Sequence, residues 1–154
     1  MTPKLSDLSA SLSDSLMDSD LQSVTVQMAE SLADSPLEDS IARDIPVIGT
    51  IYGLAKVGFN VRDRLFLKKL LYFLSELSQV PIAERAEMVS MVDRSGKYRT
   101  KVGEKLLYIL DKSDDHESAR IIARLFKAFV SGILSYDEFL RACRAIQNIM
   151  AAEL

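Results

Sequence analysis

One histidine and one cysteine are the side chains best suited to covalent chemistry in this sequence. His116 is the only histidine among the 154 residues, and Cys143 is the only cysteine. Nucleophilic catalysis needs a base within hydrogen-bond reach of the nucleophile. His116 lies in a turn before a predicted helix and Cys143 lies on the apolar side of a later one, so the spacing does not bring them together. We therefore interpret Cys143 as a small packed hydrophobe and His116 as a solvent-facing residue.

Carboxylates near residue 111 are the strongest candidates for binding a metal ion. An EF-hand loop needs acidic residues at alternating positions, a central glycine and a closing glutamate. Counting from Asp111, the central position holds His116 and the closing position holds Ile122. The segment 132–138, GILSYDE, matches only the second half of such a loop. Helix capping explains both stretches better, so the sequence predicts no metal and no cofactor.

Motifs and composition both point away from catalysis. The sequence contains no phosphate-binding glycine loop, no dinucleotide-binding fingerprint and no paired Cys/His motif. It is 48% hydrophobic and 27% charged, as in a globular domain, and its single cysteine excludes an internal disulfide. We expect a protein that is not an enzyme. Because the N-terminus lacks a basic and then apolar leader, we expect it in the cytoplasm, with a peripheral position at the inner membrane as an alternative.

Charge is unevenly distributed between an N-terminal arm and the rest of the chain. Residues 1–40 contain one Lys against eight Asp or Glu, a net charge of −7, whereas residues 41–154 have a net charge of +4. Apolar residues in the arm predict an amphipathic helix, weakened by Ser and Asp, that orders against a partner, a second copy or the chain's own body. The predicted partner-binding residues are Leu5, Leu8, Leu12, Leu16, Leu21, Val24 and Met28.

Residues 45–61, IPVIGTIYGLAKVGFNV, form the most apolar stretch of the chain. A bilayer-spanning helix needs about 20 apolar residues, so a buried core helix is the leading interpretation. Glycines four residues apart also suit close packing between helices, and the basic residues that follow suit anionic lipid. Membrane binding and self-association therefore stay open as alternatives. The residues assigned to them are Gly49, Gly53, Lys56, Arg62, Arg64, Lys68 and Lys69.

Basic side chains recur at helical spacing in the C-terminal half. Lys97, Lys101, Lys105 and Lys112 line one side of a predicted helix, with Tyr108 between them. Such a stripe fits the phosphates of a nucleic acid. Charged outer faces are also the ordinary solvated surface of helical bundles. Nucleic-acid binding is therefore a hypothesis that ranks below protein binding and membrane association.

Apolar residues follow helical spacing along the whole chain, and no segment alternates as a strand does. We predict helices over residues 60–78, 81–94 and 98–112, then one that stops at Gly132 and a last one after a capping box of Ser135 and Glu138. The sequence thus predicts an all-α fold. Residues 41–154 form a compact bundle of about six helices, and residues 1–40 form a partly ordered acidic arm.

Two runs, IPVIGTIYGLAKVGFNVRDRLFLKKLLYFL and FKAFVSGILSYDEFLRACRAI, resemble small all-helical bacterial proteins of uncharacterised function. The similarity covers residues 40–150 and leaves the arm outside. The turn GILSYDE is also similar to one in TerB-like helical domains, without their acidic metal-binding signature. The resemblance implies a helical fold and carries no activity with it.

The leading functional expectation is a non-enzymatic helical interaction or regulatory protein. It would bind a protein partner, or itself, through the leucine-striped arm and the glycine-containing apolar helix. The first alternative is association with an anionic membrane, or its permeabilisation, through residues 45–74. The second alternative is nucleic-acid binding through the basic helix faces.

Overall fold

A computed structural model describes residues 5–18, 21–23, 45–54, 61–92, 96–113 and 116–152. Within these ranges the chain forms seven α-helices and no β-strand, which confirms the predicted all-α class. In chain order the helices are α1 (Leu5–Leu16), α2 (Pro46–Leu54), α3 (Val61–Ser78), α4 (Ile82–Val92), α5 (Gly96–Lys112), α6 (His116–Val130) and α7 (Tyr136–Ala152).

Helix α3 contributes the largest share of the core. Its apolar residues recur every three or four positions, so a broad side of the helix is covered by its neighbours. Six of these side chains are at most 1% exposed, namely Leu67, Leu70, Leu71, Phe73, Leu74 and Leu77. Helix α3 packs most extensively against α6, and α6 in turn packs against α7.

Aromatic rings join α3, α6 and α7. The ring centroid of Phe126 lies 5.9 Å from that of Phe73 and 6.0 Å from that of Phe139. Phe129 lies 5.5 Å from Phe139 and 5.4 Å from Tyr136. Aromatic pairs at these distances contribute about 0.5–1.5 kcal/mol each beyond the area that they bury. The cluster therefore fixes how the last two helices sit on α3.

Local signals end α6 and begin α7 where the sequence predicts. Gly132 has a φ angle of +86°, which L side chains rarely adopt, and it follows the end of α6. Ser135 Oγ accepts a hydrogen bond from the Glu138 backbone N–H at 3.1 Å, and Glu138 Oε1 accepts one from the Ser135 N–H at 3.1 Å. These two bonds confirm the capping box, and the one that the Ser135 N–H donates to the carboxylate lowers the pKa of the Glu138 carboxyl.

Predicted helix boundaries agree with the structure to within a few residues. The helix predicted from Tyr98 begins two residues earlier, at Gly96, and the one predicted over 81–94 has described bounds of Ile82–Val92. The apolar stretch 45–61 contains α2, and residues 55–60 lie outside the described residues. Ile45, Val47 and Ile48 are buried in the core. These three residues are thus core, in agreement with the leading interpretation, and the side chains of residues 51–54 are not described.

Helix α1 belongs to the same hydrophobic core as the body. Its Leu12 and Leu16 are each 4% exposed, and the nearby Leu21 is fully buried. The helix packs most extensively against α5 and α2, with further contacts to α4 and α3. Of the three surfaces considered for the arm, the one that α1 contacts here is the chain's own body.

Candidate interaction site

The seat of α1 is an apolar groove on the body. The groove is formed by residues of α4, α5 and α6, and it receives the leucine side of α1. Between helix and groove remains a hollow of about 20 Å³, which is room for about one water molecule. Body residues that line the hollow are Met88, Val89, Val92, Val102, Leu106 and Phe126. An amphipathic helix laid in an apolar groove is a common mode of recognition between proteins.

A glycine in α5 sets how closely α1 approaches. A Cβ atom added at Gly103 would lie 2.5 Å from Ser9 Oγ, 2.8 Å from Ser9 Cβ and 3.2 Å from Ser9 Cα. All three separations are shorter than ordinary van der Waals contact, and the first two are shorter than real Cβ atoms show. Gly103 and Ser9 therefore allow the two backbones to come closer than larger side chains would permit.

Ser15 of α1 caps α2 across a separation of 32 residues in sequence. Its Oγ accepts a hydrogen bond from the backbone N–H of Val47 at 2.9 Å and donates one to the carbonyl of Ser11 at 2.8 Å. Val47 lies in the first turn of α2, where backbone N–H groups have no partner within their own helix. Ser15 is fully buried, so this hydrogen bond satisfies a donor that water cannot reach.

Arg85 of α4 holds the other end of α1. Its Nη1 donates hydrogen bonds to the carbonyls of Leu16 at 3.1 Å and Asp18 at 3.0 Å, and its Nε donates to the carbonyl of Val80 at 3.0 Å. Arg85 is only 4% exposed. Burial lowers the pKa of its guanidinium and the charge of Asp18 raises it, but a guanidinium stays charged at any ordinary pH. The cation thus caps the C-terminal carbonyls of α1 and the turn before α4 together.

The predicted partner-binding residues divide into three groups. Leu12, Leu16 and Leu21 are buried in the chain's own core, and Leu8 is half-buried against it. Leu5 begins α1, but its side chain is outside the described part of the structure. Val24 and Met28 also lie outside the described residues.

The residues assigned to membrane binding or self-association do not form one described surface. Gly49 is half-buried within α2, which also contains Gly53, and Lys56 lies outside the described residues. Arg62 and Arg64 are in the first turn of α3, where their side chains are not described, and Lys68 is half-buried further along that helix.

Lys69 has a structural role instead. Its Nζ donates hydrogen bonds to the backbone carbonyls of Asp111 at 2.7 Å and Ser113 at 2.9 Å. These carbonyls lie at the C-terminal end of α5, where a positive charge is favourable. The ammonium group of Lys69 is therefore engaged within the protein, and its assignment to a membrane or self-association surface stays a prediction.

The two candidates for covalent chemistry, Cys143 and His116, lie on different helices. Cys143 is 1% exposed on α7, and burial raises the pKa of its thiol to about 12. At neutral pH the thiol is protonated and unreactive, as its interpretation as a packed hydrophobe requires. His116 is the first residue of α6, and its side chain is not described. Across the described ranges, no three His, Cys, Asp or Glu side chains converge as metal ligands would.

Three residues of the α1 seat were not anticipated from the sequence. Glycine inside a helix costs about 1 kcal/mol relative to alanine, so the position of Gly103 in the middle of α5 is a signal of close packing. A mid-helix serine such as Ser15 carries a weaker signal, because it usually bonds within its own helix. Arg85 gives no signal at all, since nothing in its neighbourhood along the chain distinguishes it from a surface arginine.

Among the described residues, no helix is both long and apolar enough to cross a bilayer. No protein-family model, curated protein or solved structure matches the chain.

Proposed function

We propose that this chain is a non-enzymatic interaction protein that binds a protein partner through the leucine stripe of α1. The observation that supports the proposal is the seat itself, in which an amphipathic helix occupies a groove on the body. The same apolar stripe is presented to a partner when α1 leaves the groove. Asp14 is exposed on α1 and the arm is strongly acidic, so a partner with a basic rim around its own groove is favoured.

The composition of α1 supports an exchangeable helix. Five of its 12 residues are serine and two are aspartate, and both residue types favour caps and turns over helix interiors. An isolated helix of this length is also marginal in water. The helix therefore depends on whichever apolar surface it contacts, either the groove in its own chain or that of a partner.

The test compares full-length variants that loosen α1 to different extents. Arg85→Met removes three hydrogen bonds at the C-terminal end of α1 and the turn before α4, and Arg124→Met removes an exposed arginine from α6 as the matched control. Each protein is used as bait in lysate of its source cells, and captured proteins are identified by mass spectrometry. A partner found in this way is then titrated calorimetrically.

Competition between groove and partner gives a quantitative expectation. Apparent affinity rises with the fraction of molecules in which α1 is released, about tenfold for each 1.4 kcal/mol by which docking is weakened. Arg85→Met should bind the partner more tightly than the wild type, and Arg124→Met should bind it equally. Adding Leu12→Asp and Leu16→Asp to Arg85→Met should abolish binding. A partner that binds all four proteins alike would show that the stripe is not its site.

A further inference from the structure

The outer side of α5 carries a row of basic residues with an aromatic ring among them. Lys101, Lys105, Tyr108 and Lys112 are spaced four, three and four residues apart, which places them on one side of the helix. All four are exposed, and Tyr108 is 56% exposed despite its size. The row extends over about 16 Å of helix at 1.5 Å per residue.

Tyrosine rings hold the ammonium groups of this row at the surface. The Nζ atoms of Lys105 and Lys112 lie 5.4 Å and 5.8 Å from the centroid of Tyr108. The Nζ of Lys101 lies 5.5 Å from the centroid of Tyr136 on α7. A cation–π contact at an exposed site is a weak attraction between the ammonium group and the ring face. The lysines are therefore partly ordered before any anion arrives, which reduces the entropy lost on binding.

Helix α7 extends the basic surface sideways. It lies beside α5, because Tyr136 meets Lys101 near one end and Gln147 Nε2 donates a 3.2 Å hydrogen bond to the Ile109 carbonyl near the other. Arg144 is exposed on α7, three residues before Gln147 and four after Leu140. Its position puts a fourth cation along the same side of the bundle.

Four carboxylates lie on the same two helices, and at least one of them is already engaged. Glu104 is exposed at the edge of the row, and Asp111 is half-buried near its end. On α7, Glu138 accepts the capping hydrogen bond from Ser135, and Asp137 is exposed in the first turn. The α5–α7 face is defined as Lys101, Lys105, Tyr108, Lys112 and Arg144, and on α5 the carboxylates Glu104 and Asp111 lie to one side of the lysine row.

We infer that the α5–α7 face binds the phosphate backbone of a nucleic acid. A row of about 16 Å is too long for a single phosphate and suits a polymer with regularly spaced negative charges. A membrane is the less suitable anion, because a peripheral helix inserts its apolar side between lipids. The apolar side of α5 is already buried in the core, with Val102, Leu106 and Leu110 at most 2% exposed.

The direct test measures binding of full-length protein to fluorescein-labelled 20-base-pair DNA and to RNA of the same sequence by fluorescence anisotropy. With three phosphates neutralised, affinity for duplex DNA should fall about 40-fold between 50 and 200 mM NaCl. Lys105→Gln with Lys112→Gln should weaken binding about tenfold at low salt and reduce the salt slope by about two.

Matched variants distinguish the effect of this face on DNA affinity from the effect of the protein's overall charge. Arg124→Gln with Lys127→Gln removes the same two charges from exposed residues of α6 and should leave DNA affinity unchanged. Glu104→Gln removes a negative charge at the edge of the row and should strengthen binding two- to threefold, a gain that misfolding cannot produce. The duplex and RNA arms show which polymer is preferred.

Three results would overturn the inference. These are no anisotropy change with either polymer at 50 mM NaCl, equal losses in the α5 and α6 double variants, and equally tight binding to poly-L-glutamate. Stronger binding to vesicles of anionic lipid than to either nucleic acid would assign the face to a membrane instead. Because the test does not involve the leucine stripe of α1, its failure leaves the proposed protein partner unaffected.

Discussion

Gly103 and Ser9 determine the distance between α1 and α5. The close packing of these helices depends on the absence of a side chain at Gly103 as well as on the apolar side chains around it. Two effects oppose each other when alanine replaces Gly103. Alanine has the higher helix propensity, but its methyl group does not fit between the two backbones. The helix preference amounts to about 1 kcal/mol, whereas forcing extra atoms into a packed contact usually costs about 1–3 kcal/mol.

Gly103→Ala should therefore destabilise the protein by up to about 2 kcal/mol in urea unfolding, although it improves the helix propensity of α5. Ser9→Gly removes the two nearest atoms and should recover much of this loss. The expected coupling in the double-mutant cycle is at least about 1 kcal/mol. Ala10→Gly, the neighbouring change in α1, should be additive with Gly103→Ala. A stabilised Gly103→Ala protein would contradict the close contact.

Cys143 makes a second residue-scale prediction through its raised thiol pKa. In the folded protein this pKa is about 12, against 9 in the unfolded chain. Below pH 9 the thiol is protonated in both states and stability does not depend on it. Between pH 9 and 12 only the unfolded chain loses the proton, so the contribution to stability falls by about 1 kcal/mol per pH unit.

The comparison that isolates this effect is wild type against Cys143→Ala in denaturant unfolding at pH 8.0 and pH 10.5. The stability advantage of the wild type should shrink at the higher pH, because alanine has no proton to lose. Lysines and tyrosines titrate alike in both proteins and cancel in the difference. A difference that does not change with pH would mean that the thiol is not buried as described.

At the scale of whole elements, helix ends in this protein are capped by residues from distant parts of the chain. Ser15 caps the start of α2, Arg85 caps the end of α1, and Lys69 caps the end of α5. Sequence patterns detect caps that lie within three or four residues of the helix, as Ser135 and Glu138 do. Caps contributed from a remote helix leave no such pattern, because only the folded topology brings donor and acceptor together.

Lys69→Met should consequently destabilise the protein by about 1–3 kcal/mol, since it leaves two carbonyls at the end of α5 without their charged donor. Methionine keeps the apolar stem of the side chain, so the loss reports the ammonium group. Lys68→Met, one position earlier on α3, is the matched control and should change stability by less than about 0.5 kcal/mol. Hydrogen exchange measured by mass spectrometry should accelerate at residues 109–113 in the first variant alone.

The same reasoning explains which parts of the fold the sequence predicted. Helices α3 to α7 were found because each carries its own apolar period and its own end signals, such as Gly132. The interpretation of α1 from its sequence stays open between three surfaces. An amphipathic stripe indicates that a helix packs against an apolar surface, but it does not identify which surface that is. Residues in remote contacts, Gly103 and Arg85 above all, became interpretable only with the structure.

For the molecule as a whole, α1 in its docked position shares one hydrophobic core with the body. Leu16 is 4% exposed and belongs to the same core as Phe73 and Phe139. Removing its side chain leaves a cavity in that shared core, and such substitutions cost about 2–5 kcal/mol. The effect should reach helices far from α1.

Leu16→Ala should thus lower the urea midpoint while all probes still report a single transition. Far-UV circular dichroism follows the helices, and tyrosine fluorescence follows the five tyrosines, none of which is in α1. Coincident curves at a lower midpoint are expected. Exposed Met17→Ala, the adjacent substitution, should shift the midpoint little. Two separated transitions in Leu16→Ala would mean that α1 melts independently of the body.

The three contacts that seat α1 also set an order of events on the ribosome. Val47, Arg85 and Gly103 all follow α1 in the chain, so α1 is synthesised before any of the residues that hold it in place. At about 5–20 residues per second, α1 waits several seconds between its own synthesis and that of Gly103. During this interval its leucines are without the groove that covers them in the finished protein. Nascent chains of this protein should accordingly be substrates for ribosome-associated chaperones until α5 has emerged.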